Sequence, residues 1–536
     1  SMTLPYLLQS DDLSVEEKNK IHADIMNRTS DGPFSFYSSE SKNEGTDSSP
    51  PPPKWDCLVL TAMNEQQRRI FELQLASIPW QEYTEKCVVI QDPPGAKAGS
   101  GGATVWVLKE NRDRRYFEED SKVLLIHSGG YSQRTPHLSN VGKIFMTTPY
   151  GRSLLEVKLH QLKSLLPSLR PGLFLAASDV LEKLPEEIKQ IEEDTDCLLL
   201  MHRSPIEVAR NHGVYVVDDE SGELLRVLQK PSEEEMRESG GVRGEEASPW
   251  CFTDSSYFLS SRLISSLLDH VRDLPQMEIC AYGDFLRPLG KQKDDLPSVD
   301  SSSDLAAWHD ALYACFNDCK TELFDCGPSS FFHFGSLKEC REHWYGVMEG
   351  REIPVHSTWM YKVGHGSIVE YSNLPPNPFM VVGERSIVSG CYIGRNEKNT
   401  VIPDDIVVYS SPVRRNDVQG WITVVIGSSD DVKRVYEDGA VLWSGTTLRD
   451  CKEDTSLWEA PLFELAAGAQ QSLLQSLRKY EHRETEPEVL TSSGWSMADV
   501  VRYVDVDKLI EFRRQRRELW WRYGPESLGE PPASAE

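Results

Sequence analysis

Hydrophobic and polar positions alternate usefully only beyond residue 54. Residues 38–54 are polar and proline-rich and have nothing to bury. Before them, one short helix is expected around Val15 to Met26. From Trp55 onward, apolar runs punctuate amphipathic stretches. Cys57 to Leu60 reads as a strand, Glu65 to Leu75 as a helix and Val88 to Ile90 as a strand. A glycine-rich segment, 99–104, leads into a helix through Leu108, and Val123 to Ile126 forms the next strand. Leu155, Leu159, Leu162 and Leu166 share one helical face, and strands follow at Leu173 to Ala177, Leu198 to Met201 and Gly213 to Val217. Strands alternating with helices predict an α/β domain over 55–355, with a mixed, largely parallel sheet and helices on both faces. Ligands of such sheets bind beyond the carboxyl ends of the strands, where strand order switches.

The texture changes near residue 356. Gly364 to Val369, Val382 to Val388, Tyr392 to Gly394 and Val401 to Pro403 recur as degenerate hexapeptides, the pattern of a parallel β-helix. A plain antiparallel β domain is the alternative. This region is expected to span 356–456, followed by a helical segment, 457–536, with helices at Phe463 to Tyr480 and Asp505 to Arg522 packing back on it. Residues 236–248 and 291–304 are charged or serine-rich and read as loops.

Charge narrows the partners. The chain carries 57 Lys and Arg against 84 Asp and Glu, a net charge of −27. A nucleic-acid duplex calls for a basic surface, so nucleic acid is not an expected partner. A nucleotide needs only a few local cations and stays open. No run of 18 apolar residues and no signal-peptide pattern occurs, so neither a membrane nor secretion is expected. The 11 cysteines are scattered singly, which suits reduced thiols and a cytoplasmic setting. Cys315, Cys319 and Cys326 lack CxxC spacing and read as unpaired thiols rather than a metal site.

The strongest chemical signal is 121–143. The strand at 123–126 runs into Ser128, Gly129 and Gly130, with Arg134 four residues later and Lys143 nine beyond that. Glycines admit close approach of backbone N–H groups to a polyphosphate, and fixed cations neutralise it. The order is neither that of a P-loop nor Gly-x-Gly-x-x-Gly. Gly101 and Gly102, in the earlier glycine segment, could serve the same ligand or merely a tight strand–helix connection. Asp179 ends a strand and offers oxygen to Mg²⁺, or else caps a helix opened by Val180 to Lys183. His212, Gly213 and Lys230 flank another strand pair, and Lys230 could meet the phosphate of a second substrate or be an ordinary surface lysine. Asp254, Glu278 and Asp284 are further acids, for sugar hydroxyls or a second metal, or else for solvent and caps. No Ser/His/Asp arrangement, HExxH or paired CxxC is present. That fits a reaction in which an anionic phosphate attacks phosphorus directly, with catalysis by positioning and charge.

Together these segments resemble the sugar-1-phosphate nucleotidylyltransferases. The run Trp55 to Ala62, Gly-Ser-Gly-Gly-Ala-Thr at 99–104, His-Ser-Gly-Gly-Tyr-Ser-Gln-Arg at 127–134, Gly142-Lys143, Leu-Gln-Lys-Pro at 228–231, Ala-Tyr-Gly-Asp-Phe-Leu at 281–286 and Ser-Leu-Trp-Glu-Ala-Pro-Leu-Phe at 456–463 are similar to the fucose-1-phosphate guanylyltransferases. The resemblance covers about 55–465 and implies a nucleotidyltransferase-type fold at 55–355. It implies that GTP and β-L-fucose 1-phosphate give GDP-L-fucose and pyrophosphate with Mg²⁺. Arg134 and Lys143 would then be catalytic, with Gly101, Gly102, Ser128, Gly129 and Gly130 at the nucleotide. His212, Gly213, Lys230, Asp254 and Asp284 would hold the sugar phosphate, and Asp179 the metal. Two departures stand out: Thr135 replaces the leucine usual before the proline, and His333, within 331–336, stands where many bacterial relatives place a metal-binding Asp. The alternatives are another sugar or base, or an inactive nucleotide-binding scaffold; an acyltransferase lacks its catalytic histidine. The sequence leaves the oligomeric state open.

Overall fold

A computed structural model describes residues 53–95, 97–148, 151–271, 277–292, 304–347, 357, 363–374, 380–394, 400–448, 451–485 and 494–523. The expected helix at Val15 to Met26 lies outside them. The chain forms two compact units. One comprises Ser49–Gly130 with Leu155–His333, and the other holds Tyr131–Leu154 with Phe334–Glu536.

The first unit is built on a 10-stranded sheet. Its first strands are β1 (Cys57–Ala62), β2 (Cys87–Gln91), β3 (Lys122–His127) and β4 (Gly172–Ala177). All six residues of β1 are buried, as expected of a strand covered on both faces. Helix α1 (Glu65–Leu75) joins β1 to β2; Asn64 starts it by accepting the N–H of Gln67 at 2.9 Å. Helix α2 (Gly99–Arg114) joins β2 to β3 and ends in a left-handed Arg115, φ 51°. It is two turns longer than the run to Leu108 suggested. Strand β1 pairs in parallel with both β2 and β3, and β3 pairs in parallel with β4. The order β2-β1-β3-β4 therefore reverses direction between β1 and β3, which places the switch-point crevice beyond Ala62 and His127.

Beyond β4 the sheet is no longer all parallel. After helix α3 (Leu154–Leu162), which precedes β4 in the chain, come β5 (Val180–Glu182), β6 (Cys197–Pro205), β7 (Gly213–Val217), β8 (Leu224–Gln229), β9 (Val242–Arg243), β10 (Trp250–Ser260), β11 (Thr321–Pro328) and β12 (Phe331–His333). Strand β10 runs antiparallel to β4, β6, β7 and β9. A bulge between Asp254 and Tyr257 shifts its register on β6, and bulges re-aim side chains. The sheet is mixed as expected but not largely parallel: β1–β4 and the β6–β11 pair run parallel, whereas every pairing of β10 and the β7–β8 pair are antiparallel, because β10 returns through the middle of the sheet. Helices α4 (Ser261–His270) and α5 (Asp304–Phe316) contribute Leu263, Leu267, Leu312 and Phe316 to the core that covers β1, β3 and β4.

The second unit is β-rich. After α6 (Leu337–Val347) come β13 (Ile368–Glu370), β14 (Val381–Val382), β15 (Ile387–Ser389), β16 (Val401–Ile402), β17 (Ile406–Arg415) and β18 (Val418–Gly427). Ile368 pairs in parallel with Ile387, and Ile387 with Val407. Strand β14 pairs in parallel with β16. Strands β17 and β18 then form an antiparallel hairpin. Helices α7 (Ala469–Glu481), α8 (Met497–Arg502) and α9 (Val506–Tyr523) follow. Leu473 and Leu477 of α7 and Met497 and Val500 of α8 share a core with Val407, Val408, Ile422 and Val424. The helix read from Phe463 begins only at Ala469. Phe463 is extended instead, its N–H donating to the Trp495 carbonyl at 2.9 Å and its carbonyl accepting in return at 2.6 Å. Among the described residues no helix is long and apolar enough to cross a membrane.

Candidate active site

The loop after β3 lies at the switch point. Ser128 is buried, Gly130 partly so, and Gly129 is exposed. Thr61, near the end of β1, accepts the N–H of Ser128 at 3.0 Å and of Gly129 at 3.3 Å. Gln67 of α1 accepts the N–H groups of Met63 at 2.7 Å and Gly130 at 3.3 Å, and donates to the Gly130 carbonyl at 2.9 Å. The loop is thus tied to β1 and α1 through two side chains that the sequence reading missed. The signal for Gln67 was its position: it falls on the buried face with Ile70, Phe71 and Leu75. A Cβ on Gly129 would sit 3.1 Å from the Met63 nitrogen, so this glycine answers a close approach of backbone to backbone. Gly101 answers another. Its N–H donates to the Ile279 carbonyl at 2.7 Å, and a Cβ would lie 2.7 Å from Ile279 Cγ2. Gly102 is buried in the same turn.

A second group gathers at β4, β5, β7, β8, β10 and β12. The peptide after β4 pairs with the end of β3 through Ser178 N–H and His127 O at 3.2 Å, which sets Asp179 on the loop edge. Val180–Glu182 is a strand, so Asp179 caps no helix. Pairing of Val180 with His333 brings the His333 Nε2 to 3.8 Å from the Asp179 carboxylate. The His333 ring lies 4.8 Å from that of His212, which also meets Phe331 edge-on at 4.9 Å. Next to His212, Gly213 donates its N–H to Asp254 Oδ1 at 2.9 Å. A Cβ there would fall 2.4 Å from Asp254 Oδ2. The His212 carbonyl accepts the N–H of Lys230, a left-handed residue at φ 46°. Burial pushes the Asp254 carboxyl up to about 7, while the Gly213 N–H and the charge of Lys230 pull the other way. The Lys230 side chain is exposed and forms no hydrogen bond or ion pair among the described residues.

Under this group lies a buried polar layer that composition does not disclose. Lys158 of α3 and Glu182 are both 0% exposed and 2.9 Å apart. Lys158 Nζ also donates to Val180 O at 2.6 Å, and Ser256 donates to Glu182 Oε1. His202 is bonded by Ser330 and Ser255, each at 2.7 Å. Burial, helped by the charge of Lys158, lowers the His202 ring to about 3, so it is neutral.

The remaining predicted acids each have partners, and Gln229, next to Lys230, donates to the Tyr282 carbonyl in the turn that carries Asp284, at 2.7 Å. Asp284 accepts the Cys280 N–H at 2.6 Å and pairs with His309 at 3.0 Å. Burial raises its carboxyl, but those two partners hold it below its ordinary range. Glu278 pairs with Lys97.

Arg134 and Lys143 belong to the other unit. Arg134 is exposed and, like Lys230, has no partner among the described residues. Lys143 follows Gly142, at φ 85°, and its Nζ donates to Gly335 O at 3.3 Å. Thr135 is 0% exposed, and its hydroxyl donates to Ser132 O at 3.2 Å, closing the turn that carries Arg134. A leucine at this position could not make that bond.

Among the described residues no group of three or more His, Cys, Asp or Glu side chains forms a metal cage. Asp179, about a quarter exposed at a strand end, still suits Mg²⁺, which is held by one or two carboxylates together with substrate phosphates.

Comparison with known proteins gives a consistent result. The family model described as "Fucose pyrophosphorylase domain" matches residues 118–356 and 355–478, more than half of the chain. A mouse protein named fucose-1-phosphate guanylyltransferase is 26% identical over 549 aligned residues, covering 86% of this chain and 92% of its own. The human protein of the same name is also 26% identical, covering 86% and 90%. A bifunctional fucokinase/GDP-fucose pyrophosphorylase of Arabidopsis thaliana is 22% identical, covering 77% of this chain and 47% of its own.

Proposed function

The chain belongs to the fucose pyrophosphorylase family, and we propose that it is the guanylyltransferase joining GTP and fucose 1-phosphate to give GDP-fucose and pyrophosphate. The observation that carries the reading at the level of the site is the convergence of His212, Gly213, Lys230 and Asp254 with the Asp179–His333 pair. An ammonium without a partner among the described residues, beside a buried carboxyl group, suits a phosphosugar: Lys230 would bind its phosphate and Asp254 its hydroxyls. His212 and Gly213 hold Asp254 and Lys230 in place through their backbone. Asp284, held by His309, shapes the 280–284 turn in this reading.

On the nucleotide side, Ser128, Gly129 and Gly130 would line the triphosphate, with Gly101 and Gly102 behind them. Arg134, exposed and without a partner among the described residues, would meet the leaving pyrophosphate, and Lys143 the α-phosphate. Asp179 would hold Mg²⁺, which supplies charge neutralisation to the phosphates when bound. The attacking phosphate oxygen is already an anion, so no general base or covalent intermediate is needed; the residues orient two anions and offset their repulsion. The parallel pairs of β13–β17 support a short β-helix in the second unit.

The direct test is pyrophosphorolysis of GDP-fucose with Mg²⁺. GTP release is expected, and folded protein that releases none would overturn the reading. Arg134→Ala is expected to lower kcat by roughly 100- to 1,000-fold, the scale for losing one transition-state donor. Lys230→Ala is expected to raise KM for the sugar phosphate by roughly 10- to 100-fold, the scale of a charge-assisted hydrogen bond. Near-normal constants in both variants would remove these role assignments.

A further inference from the structure

The segment Tyr131–Leu154 carries Arg134 and Lys143, yet it is part of the unit formed by the C-terminal residues. We infer that Asn140 and Ser411 are positioning residues for Arg134: the β-rich unit shapes the arginine segment through a buried side-chain contact 271 positions apart in sequence. The inference rests on the guanylyltransferase reading for what Arg134 does.

The segment has little regular structure to hold it. It consists of two 3₁₀ turns, Pro136–Leu138 and Lys143–Phe145, linked by single backbone bonds such as Gly142 N–H to Leu138 O at 2.7 Å. Turns of this length do not persist unaided. Nevertheless Thr135, Leu138 and Ile144 are 0% exposed, so tertiary contacts must fix the shape. One buried side-chain bond that helps to do so runs from Asn140 Nδ2 to the Ser411 hydroxyl on β17, at 2.9 Å. Among the described residues the Asn140 Oδ1 has no hydrogen-bond partner, so the bond to Ser411 anchors the amide. His137, three positions earlier, is 8% exposed and lies in the field of Glu370 on β13 and Arg513 on α9. Those two are themselves fixed: Glu370 accepts from Ser389 at 2.7 Å, and Arg513 stacks on Tyr371 at 3.7 Å. One side of the segment is thus buried against β13, β17 and α9, while Arg134 is exposed and has no partner among the described residues. Removing the Ser411 hydroxyl would leave the buried amide unsatisfied and let the segment sample other shapes. A loss of orientation falls on kcat.

The experiment is a double-mutant cycle in the full chain. Asn140→Ala and Ser411→Ala should each lower kcat about tenfold with KM within twofold, and the double variant should be no worse than the poorer single one. Ser411→Ala placed in an Arg134→Ala background should change kcat no further. A merely structural role would not depend on Arg134, so an equal loss in both backgrounds overturns the inference, as does unchanged kcat in the single variants. Hydrogen exchange tests the anchor without turnover. Ser411→Ala should speed exchange at the Thr135, Leu138 and Gly142 amides, and unchanged protection there overturns the inference whatever the activity. Wild-type protein that forms no GTP overturns the functional reading, and the positioning role of Asn140 and Ser411 falls with it.

Discussion

At the scale of single residues, Asp254 is the most informative titrating group. It is 5% exposed, and burial raises its carboxyl from an ordinary value near 3.9 to about 7. A raised folded-state pKa means that, between roughly pH 4 and 7, the native protein binds a proton that the unfolded chain releases. Stability from this group is therefore present at low pH and lost as pH rises through that window. The loss is on the order of 4 kcal/mol, what remains after the Gly213 N–H and Lys230 have offset part of the burial cost. Asp254→Asn keeps an oxygen for the Gly213 N–H but cannot ionise. Denaturant unfolding at pH 5 and pH 8 should show a smaller fall in the variant than in the wild type. Equal falls would mean that Asp254 is already charged in the native protein at pH 5.

At the scale of elements, the β5–β12 ladder depends on a buried charge pair. Lys158 grips Val180 and Glu182, and β5 pairs with the strand that ends in His333. Breaking one half of such a pair strands the other charge, so Lys158→Met should cost about 3–5 kcal/mol. Lys158→Met with Glu182→Gln leaves no buried charge and keeps an acceptor for Ser256. It should regain most of that loss in thermal or denaturant unfolding. A double variant as unstable as the single one would show that packing, not charge, holds the ladder. This ladder also marks the limit of what the sequence disclosed. Helix 65–75 and strand 213–217 were legible because local periodicity decides them. Strand β10 was not, because its Thr-Asp-Ser-Ser run looks like a loop. Its polar groups are buried against partners far away in the chain: Thr253 with Ser204, Ser255 with His202, Ser256 with Glu182. The candidate residues themselves were legible as motifs. That Arg134 and Lys143 would belong to the C-terminal unit was not, since Asn140–Ser411 and Lys143–Gly335 are long-range contacts without a local signature.

At the scale of the whole molecule, the net charge of −27 sets a condition on a reaction between two anions. The long-range field of such a protein repels both GTP and a sugar phosphate, whereas Arg134 and Lys230 attract at contact. The two effects have different ranges. The screening length falls from about 30 Å at 0.01 M salt to about 8 Å at 0.15 M. Raising salt over that interval therefore removes most of the distant repulsion and leaves the contact attraction largely intact. With Mg²⁺ held constant, KM for both anionic substrates should fall several-fold across that range. In Arg134→Ala or Lys230→Ala protein the contact attraction is weaker but the distant repulsion is nearly the same, so the fall in KM should persist from a higher starting value. If KM instead rises steadily with salt, the local cations dominate at every distance, and the acidic surface has no bearing on substrate capture.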